Sequence, residues 1–482
     1  MHRLTRRLTM RLMLLIAAFC AASPASAAPG DNELVIQGIR IVDTRTATAS
    51  PPRDIYIRDG SITRITPARS ATRARTRIDG RGKFVIAGLW DLHVHLESTP
   101  NPQLKPLDPM TWYAPIAMSY GVMGLRDLGS RMEPILKVRA SFDAMRRQHQ
   151  PAPILKVAGS SFMGPVRWGS FDHVFVAKSP DDATEEVRKH VAAGVDIIKV
   201  HDFLDSAIYH AITAEAARQG RTVTGHLRPY TGPVEAMSAG QRDFEHLQPE
   251  LFSYCAANGQ ARAEKLYEGW YQGGPGYFER SMVALYDEAG CKALFGAMGA
   301  GGATVTPTIT SRMAPSARAL AAAPRYLPTA QHERCRQYAE SMKAVPAADS
   351  DAYRATVAKA LSALRDAKVN LLTGSDGPPE NCAVPGLILL DELDALVAAG
   401  LPRAEVLDAA TRRAAAKAGV ADSGRVAVGM AADLVLLSGN PLKDFAVLAE
   451  PDGLVVAGRA IDRAGVEAMR RAAGTAATAP PQ

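Results

Sequence analysis

The chain has 482 residues, 47% of them hydrophobic and 22% charged, which is ordinary for a globular protein and enough for more than one domain. Its formal net charge is +7, but Arg3, Arg6, Arg7 and Arg11 lie in an N-terminal stretch without acids, so the rest carries +3. This small excess, with no basic block, excludes nucleic acid as the expected partner.

Residues 1–27 are typical of an export signal. "MHRLTRRLTMR" is a positively charged start, "LMLLIAAFCAA" is an apolar run too short to span a bilayer, and Ala25-Ser26-Ala27 fits an A-x-A cleavage site. We expect cleavage after Ala27 and a periplasmic or secreted protein with no stable membrane insertion. An uncleaved anchor is the alternative, and Arg6-Arg7 leaves open whether the Sec or the twin-arginine route is used.

Segments near both ends of the chain alternate like β-strands. "ELVIQGIRIVD", "RDIYIRDGSITRI" and "RTRIDGRGKFVIAG" alternate apolar and polar residues, and Asp59-Gly60 favours a hairpin turn. The pattern returns in "GRVAVGMAADLVLLSGNPL" and "GLVVAGRAID". We predict a small β-sandwich domain built from residues 28–86 and 424–466, followed by a disordered tail over 467–482.

Between these ends, strand-like and helix-like segments alternate. The eight candidate strands are "LWDLHVHL", "VMGLRDLG", "ILKVAG", "DIIKVHD", "TVTGHL", "DFEHLQ", "ATVTPTIT" and "NLLTGSDG". Helical patterns separate several of them, such as "SPDDATEEVRKHVAAG", whose Ser179-Pro180 start is a helix N-terminal signal. The alternation predicts the α/β class, as a (β/α)8 TIM-like barrel over residues 87–423 with insertions at 249–302 and 311–368.

Five of the candidate strands end in side chains that could bind a metal. In chain order these are His93, His95, Lys199, His226, His246 and Asp376. Each alone has an ordinary interpretation, as a structural histidine, a strand-end charge or a helix N-cap. Strand ends of a barrel converge on one face, however, and alternation places His93 and His95 on the same side of their strand. Together the six residues predict a metal site.

These residues and their surroundings resemble the amidohydrolase superfamily, in its binuclear-metal branch. The resemblance covers most of the mature chain and rests on "KFVIAGLWDLHVHL", "GVMGLRDLG", "GVDIIKV", "TGHL", "FEHLQ", "LLTGSDG" and "LDAATRRAAAKAG". Within the superfamily the chain is most similar to imidazolonepropionase-like enzymes and metal-dependent Xaa-Pro dipeptidases. Many of those dipeptidases carry "AH-x-HG" where this chain has "VTGHLRP". The first histidine of that motif is retained as His226 and the second is absent, which weakens the analogy in substrate.

The resemblance implies a role for each candidate residue. Two divalent ions, with zinc expected and manganese, cobalt or iron also compatible, would be bound by His93, His95, Lys199, His226, His246 and Asp376. Lys199 would be carboxylated by CO2 and bridge the ions, because a free ammonium cannot be a ligand. Asp376 would be the general base and acid when a metal-bridged hydroxide hydrolyses an amide-type C–N bond.

The expected substrate is a small molecule, such as a dipeptide or an N-acyl amino acid. Candidate substrate-binding residues follow the predicted ligands and strands, and they are His201, Arg228, Tyr230 and Arg312. An arginine at the mouth of the site could bind a substrate carboxylate. A structural role is equally compatible with each of these arginines, and Arg126 is open to the same two interpretations. The branch also allows a homo-oligomer.

Three other functions remain open from the sequence. A lactonase or esterase would use the same site, since the same hydroxide attacks both kinds of carbonyl. A catalytically silent binding protein would be expected to lack several of the ligands, and a mononuclear deaminase would lack the bridging Lys199.

The pairing of the cysteines is also open, since Cys255, Cys291, Cys335 and Cys382 allow three disulfide arrangements.

Overall fold

The structure is a computed structural model. It describes residues 34–69, 74–97, 108–165, 172–227, 231–247, 249, 251–256, 258–269, 273–377 and 382–478. The predicted export signal, Arg228 and Tyr230 lie outside these described residues. Within the described ranges, no helix combines the length and the hydropathy needed to span a membrane.

The secondary structure alternates between strands and helices for most of the described chain. The strands are β1 (Leu34–Asp43), β2 (Thr48–Ala49), β3 (Arg53–Arg58), β4 (Ser61–Pro67), β5 (Thr76–Asp79), β6 (Phe84–Ala87), β7 (Leu89–Val94), β8 (Val122–Asp127), β9 (Ile154–Val157), β10 (Ser161–Met163), β11 (Val174–Val176), β12 (Ile198–Val200), β13 (Val223–Gly225), β14 (Asp243–Glu245), β15 (Thr304–Thr306), β16 (Asn370–Leu371), β17 (Leu434–Leu437), β18 (Gly453–Val456) and β19 (Arg459–Asp462). The α-helices are α1 (Ala114–Ser119), α2 (Met132–Arg147), α3 (Pro180–Ala193), α4 (Ser206–Arg218), α5 (Pro233–Ser238), α6 (Gly259–Gly269), α7 (Tyr277–Leu285), α8 (Glu288–Ala300), α9 (Ala317–Tyr326), α10 (Thr329–Lys343), α11 (Ala347–Asp366), α12 (Leu387–Ala398), α13 (Arg403–Ala409), α14 (Arg412–Lys417) and α15 (Arg463–Thr478). A π-helix spans Pro109–Tyr113, and 3-10 helices span Phe252–Tyr254, Ile309–Arg312 and Phe445–Ala449.

Strands from both ends of the described chain form one mixed sheet. Its order is β19-β18-β17-β6-β1-β3-β4, with β2 and β5 also paired to β1. The two ends meet where β6 pairs antiparallel with β17, Val85 opposite Leu436. Asp59 and Gly60 both have positive φ, 50° and 75°, as the predicted hairpin turn between β3 and β4 requires. The status of this sheet as a separate β-sandwich domain stays a prediction.

The eight candidate barrel strands are all strands in the structure. They are β7, β8, β9, β12, β13, β14, β15 and β16, and their pairing is parallel. The last segment returns to the first, since Leu92 N donates to Thr373 O at 3.1 Å and Asp376 N to His93 O at 2.8 Å. This is a TIM-barrel-like α/β fold, and its complete closure stays a prediction. β10 and β11 were not predicted from the sequence.

Helix α3 forms for the local reasons that its sequence suggested. The Ser179 hydroxyl accepts a hydrogen bond from Asp182 N at 3.1 Å, and Pro180 occupies the first turn. Gly194 ends the helix with φ of 90°, a left-handed conformation that favours glycine. The helix therefore begins and ends where its capping residues predict.

Both predicted insertions are largely helical, and each is tied down by a disulfide. The first carries α6, α7 and α8, and the second carries α9, α10 and α11. Cys255, which follows β14, pairs with Cys291 on α8, and Cys335 on α10 pairs with Cys382, which follows β16. The structure thereby selects one of the three arrangements that the sequence allowed. The first bond lies within the first insertion, and the second joins the second insertion to the segment that follows Asp376.

The C-terminal residues differ from the expectation of a disordered tail from 467. Helix α15 runs to Thr478 and buries Val466, Ala473 and Ala477, which recur at helical spacing. Its alanine-rich sequence has high helix propensity, although its low hydrophobicity gives little sign of burial. Residues 479–482 lie outside the described chain.

Candidate metal centre

The structure brings the six predicted ligands together at the carboxyl ends of the parallel strands. The ring centroid of His93 lies 5.2 Å from that of His95 and 4.8 Å from that of His246. The rings of His226 and His246 are 4.6 Å apart. The four imidazoles are thus contiguous, although they come from three separate strands of the chain.

Asp376 contacts three of these imidazoles. Its Oδ1 lies 3.4 Å from His93 Nε2 and 3.3 Å from His95 Nε2, and its Oδ2 lies 3.8 Å from His246 Nδ1. Burial alone would raise the pKa of Asp376, but the neighbouring imidazoles hold that pKa well below its usual range. This carboxylate is therefore ionised at neutral pH.

Lys199 is a fully buried lysine beside this cluster, with 1% of its surface exposed. Burial lowers the pKa of its ammonium, against the attraction of Glu245 and Asp376. In the described part of the chain, its Nζ has no hydrogen-bond partner, and neither does the buried Nε2 of His93. Buried polar atoms are normally satisfied, so these two atoms are the ones that a bound group would be expected to contact.

The donor set fits divalent metal ions. One ligand atom from each of His93, His95 and Asp376 lies within 4.8 Å of the others. His201, Asp202 and His226 form a second group at the same separation. Imidazole and carboxylate are ligands that zinc accepts. His226 therefore has His201 and Asp202 as neighbours as well as the predicted ligand His246. The predicted set of ligands stays a prediction.

Each of the four imidazoles uses Nδ1 in a hydrogen bond that orients the ring. The partners are Glu245 Oε2 for His93 (2.8 Å), Gly129 O for His95 (2.9 Å), Asp202 Oδ1 for His226 (3.0 Å) and Thr308 Oγ1 for His246 (2.7 Å). Such partners fix the tautomer and orientation of metal-binding histidines. Glu245 and Thr308 were missed from the sequence, although Glu245 directly precedes a predicted ligand in "DFEHLQ".

The predicted substrate-binding residues have different positions. His201 is partly exposed, and its ring centroid is 4.1 Å from that of His226, next to the candidate ligands. Arg312 is exposed on the 3-10 helix that follows β15. Arg126 has the structural role that was open for it, since its guanidinium is buried and contacts Asp243 at 2.6 Å and Glu245 at 2.7 Å.

The family follows from a comparison with known sequences. The sequence profile of the amidohydrolase family matches residues 84–461. The chain belongs to the amidohydrolase family. This membership confirms the resemblance, and the family is generally built around two metal ions.

Solved structures of other proteins share the fold. A bottromycin amidohydrolase is 22% identical, with a TM-score of 0.68 over 91% of this chain and 90% of that chain. A Xaa-Pro dipeptidase with methionine bound in its active site is 17% identical, with a TM-score of 0.62 over 89% of this chain and 100% of that chain. At these identities the likeness shows the fold alone.

A curated relative of this amidohydrolase is a deaminase. Adenine deaminase 3 of Rhizobium johnstonii is 26% identical over 202 residues, which are 41% of this chain and 32% of the relative. The chain therefore spans about a third of the length of that relative.

Proposed function

We propose that the protein is a metal-dependent amidohydrolase that hydrolyses an amide-type C–N bond in a dipeptide or an N-acyl amino acid. The observation that carries the proposal is the contact of Asp376 with three of four contiguous imidazoles, beside the buried Lys199. Family membership supports the reaction class. The dipeptidase among the structures that share the fold motivates the choice of substrate.

Two divalent ions, with zinc as the expected metal, would be held by His93, His95, Lys199 as its N-carboxylate, His226, His246 and Asp376. Such ions, when bound, supply a water of lowered pKa and polarise the substrate carbonyl. The remaining chemistry belongs to side chains of the chain itself.

Lys199 is suited to carboxylation because its burial favours the neutral amine. The amine nitrogen would attack the carbon of CO2, an N–C bond would form, and the nitrogen would lose one proton to solvent. The product is a carbamate with two oxygens and one negative charge. This change replaces a buried nitrogen that has no hydrogen-bond partner among the described residues with an oxygen-bearing group that can be a ligand.

Asp376 is suited to proton transfer because its low pKa keeps it ionised, and because it lies at the centre of the imidazole cluster. Its carboxylate would accept a proton from the attacking water and deliver it to the leaving amine.

We also propose that the protein is exported after cleavage near Ala27. The two disulfides support an oxidising compartment, because such bonds are rare in the cytosol.

We further propose that the parallel strands close into a (β/α)8 barrel and that the mixed sheet is a separate domain.

A second candidate function is deamination, which the similarity to adenine deaminase favours. The same site would then release ammonia from an amino-substituted ring, and Lys199 would not be needed as a bridge. Ammonia release from adenine, without hydrolysis of any dipeptide or N-acyl amino acid, would select this candidate.

The proposal is tested by elemental analysis of the mature chain and of the Lys199→Ala variant. Lys178→Ala is the matched control, because Lys178 is exposed. We expect about two metal ions per chain in the native protein and the control, and a sharp fall in Lys199→Ala. The native protein should hydrolyse members of a panel of Xaa-Pro dipeptides and N-acyl amino acids.

Two results would contradict the proposal. One is the absence of bound metal after loading with zinc and bicarbonate, which would favour a silent binding protein. The other is hydrolysis of lactones or esters alone, which would move the activity to the alternative class of substrate.

A further inference from the structure

A buried carboxylate outside the proposed ligand set contacts one of the ligands directly. Glu245 Oε2 lies 2.8 Å from His93 Nδ1, and the two side chains are 0% and 1% exposed. The other ring nitrogen, Nε2, lies 3.4 Å from Asp376 Oδ1 and forms no hydrogen bond within the described chain. If Nδ1 carries the proton and donates it to Glu245, Nε2 presents a lone pair toward the centre of the site.

The carboxylate of Glu245 is itself held in place by two donors. Its Oε1 accepts hydrogen bonds from Arg126 Nη2 at 2.7 Å and from Thr224 Oγ1 at 2.6 Å. These donors lie on β8 and β13, Glu245 lies on β14 and His93 on β7. Four strands therefore fix one imidazole, and the contact does not depend on a mobile surface side chain.

Cations offset part of the negative charge of Glu245 and of the neighbouring Asp243. Arg126 also contacts Asp243 Oδ2 at 2.6 Å, and Lys417 Nζ lies 3.3 Å from the same oxygen. Two carboxylates thus face the buried Arg126 and the 22% exposed Lys417, which together offset much of their negative charge. The effect of Glu245 on the site would come from the hydrogen bond to His93 and the orientation that this bond imposes.

We propose that Glu245, held by Arg126 and Thr224, is a positioning residue that fixes the Nδ1–H tautomer of His93 and aims Nε2 at the metal. The inference rests on the proposed metal centre, because its expected consequence is tighter binding of the metal ion at His93. The hydrogen bond itself is independent of that proposal, because it involves only residues of the chain. Loss of such a partner weakens metal binding about 10- to 100-fold in comparable sites.

The test compares Glu245→Gln with Asp202→Asn. Both replace a carboxylate that contacts a histidine Nδ1 by an amide, but Asp202 contacts His226 instead of His93. In Glu245→Gln, either the amide NH2 faces the donors of Arg126 and Thr224, or it faces His93 Nδ1 and forces that nitrogen to accept. The first arrangement keeps the hydrogen bond from His93 Nδ1 to the amide oxygen but sets the NH2 group against the Arg126 donor, which disfavours it. The second arrangement reverses the hydrogen bond at His93 Nδ1.

The first readout is the tautomer of His93 in the metal-free protein, from the nitrogen chemical shifts of the ring in NMR. We expect the Nδ1–H form in the native protein and in Asp202→Asn, and a population of the Nε2–H form in Glu245→Gln. Thr224→Val keeps the carboxylate and removes one donor to it, so it should shift the population in the same direction by less. This second variant keeps the test valid if Glu245→Gln does not fold.

The second readout is metal retention against a chelator. Glu245→Gln should release the ion at His93 at about 10- to 100-fold lower chelator concentration than the native protein. An Nε2–H tautomer in the native protein, or populations and chelator sensitivity that stay unchanged in both Glu245→Gln and Thr224→Val, would overturn the inference. A native protein that binds no metal but shows the tautomer change would contradict the proposed function and leave the positioning role of Glu245 intact.

Discussion

Two of the proposed ligands lie where the backbone has left the strand conformation. His246 has φ of 66° and Asp376 has φ of 52°, both in the left-handed region that non-glycine residues rarely adopt. In a regular strand, Glu245 and His246 would point to opposite faces. The left-handed residue instead lets both contact His93, through the hydrogen bond of Glu245 and the ring of His246. Local strain of this kind is common where a side chain has a chemical task.

The central position of Asp376 makes it the residue whose replacement should affect catalysis most directly. Asp376→Asn retains an oxygen that can contact the imidazoles but cannot accept a proton as the carboxylate does. We expect kcat to fall about 100- to 10,000-fold, the range for loss of a general acid or base. Steady-state kinetics on the best dipeptide or N-acyl amino acid would measure this.

The matched control for this change is Asp366→Asn, on the exposed end of α11. It should leave kcat and metal content unchanged. If Asp376→Asn retained full activity with its metal bound, the general base would have to be another residue.

Glu392 predicts a pH dependence of stability that is separate from the metal centre. Its buried carboxylate accepts hydrogen bonds from Ile309 N, Thr310 N and Thr310 Oγ1 at 2.7–3.0 Å. Burial nevertheless raises its pKa from 4.5 to about 7. Because the folded pKa is raised, this group stabilises the fold fully below pH 4.5, and that contribution is lost as the pH rises through 7.

Glu392→Gln removes this ionisation. Relative to the native protein, the variant should gain stability between pH 4.5 and pH 8, by an amount on the order of 3 kcal/mol. Thermal unfolding of both proteins would be measured at pH 5 and at pH 8. The Tm of the variant minus the Tm of the native protein should be larger at pH 8 than at pH 5. Glu264→Gln, at an exposed position on α6, is the control. A difference in Tm that is equal at both pH values would show that Glu392 does not titrate in this range.

The six proposed ligands could be predicted from the sequence because each ends a strand, and strand ends of such a fold meet at one face. Their hydrogen-bond partners could not. Thr308 follows a different strand from His246, and Glu245 contacts His93 from across the fold. Which side chains meet across strands depends on the relative register of the strands, and the sequence does not specify that register.

At the scale of elements, the two disulfides act on the segments that carry the site. Cys255 follows His246 in the chain, and Cys382 follows Asp376. Their partners, Cys291 and Cys335, lie on helices of the two insertions. Cysteine spacing alone could not choose this pairing, because the pairing depends on where the helices of the insertions pack in the folded chain.

Removing the second disulfide should loosen α10 and the segment after Asp376 together. The double variant Cys335→Ser, Cys382→Ser frees a loop of 47 residues in the unfolded chain, and such bonds contribute about 2–4 kcal/mol. We expect a lower Tm and a lower kcat, measured on the same preparation. Cys255→Ser with Cys291→Ser gives a comparison at the other insertion. Titration of four free thiols in the unfolded, unreduced native protein would contradict the pairing.

The terminal elements show which local signals were sufficient. The strands of the mixed sheet follow the alternation of their sequences, and α3 follows its capping residues. α15 was not predicted because its buried positions are mostly alanine, which has little apolar surface. Its burial depends on packing against α1 and α9, which are distant from it in the sequence.

At the scale of the whole molecule, α15 joins the mixed sheet to the parallel-stranded part of the fold. It follows β19 directly, and Arg470 reaches across to both sides. Its Nη2 donates to Ala449 O at 2.7 Å and to Ser119 O, on α1, at 3.2 Å, and its guanidinium carbon lies 4.3 Å from the ring centroid of Tyr120. These contacts, with the buried Val466 and Ala473, give the helix a structural role.

Deleting residues 463–482 should therefore destabilise the whole protein, because it exposes the apolar surfaces that α15 covers and leaves the carbonyls of Ser119 and Ala449 without their arginine donor. We expect a Tm lower by several degrees and a smaller soluble yield. Arg470→Ala should act in the same direction by less. An unchanged Tm after the longer deletion would mean that the mixed sheet is held to the rest of the fold by β6 and β7 and their neighbours, without a contribution from α15.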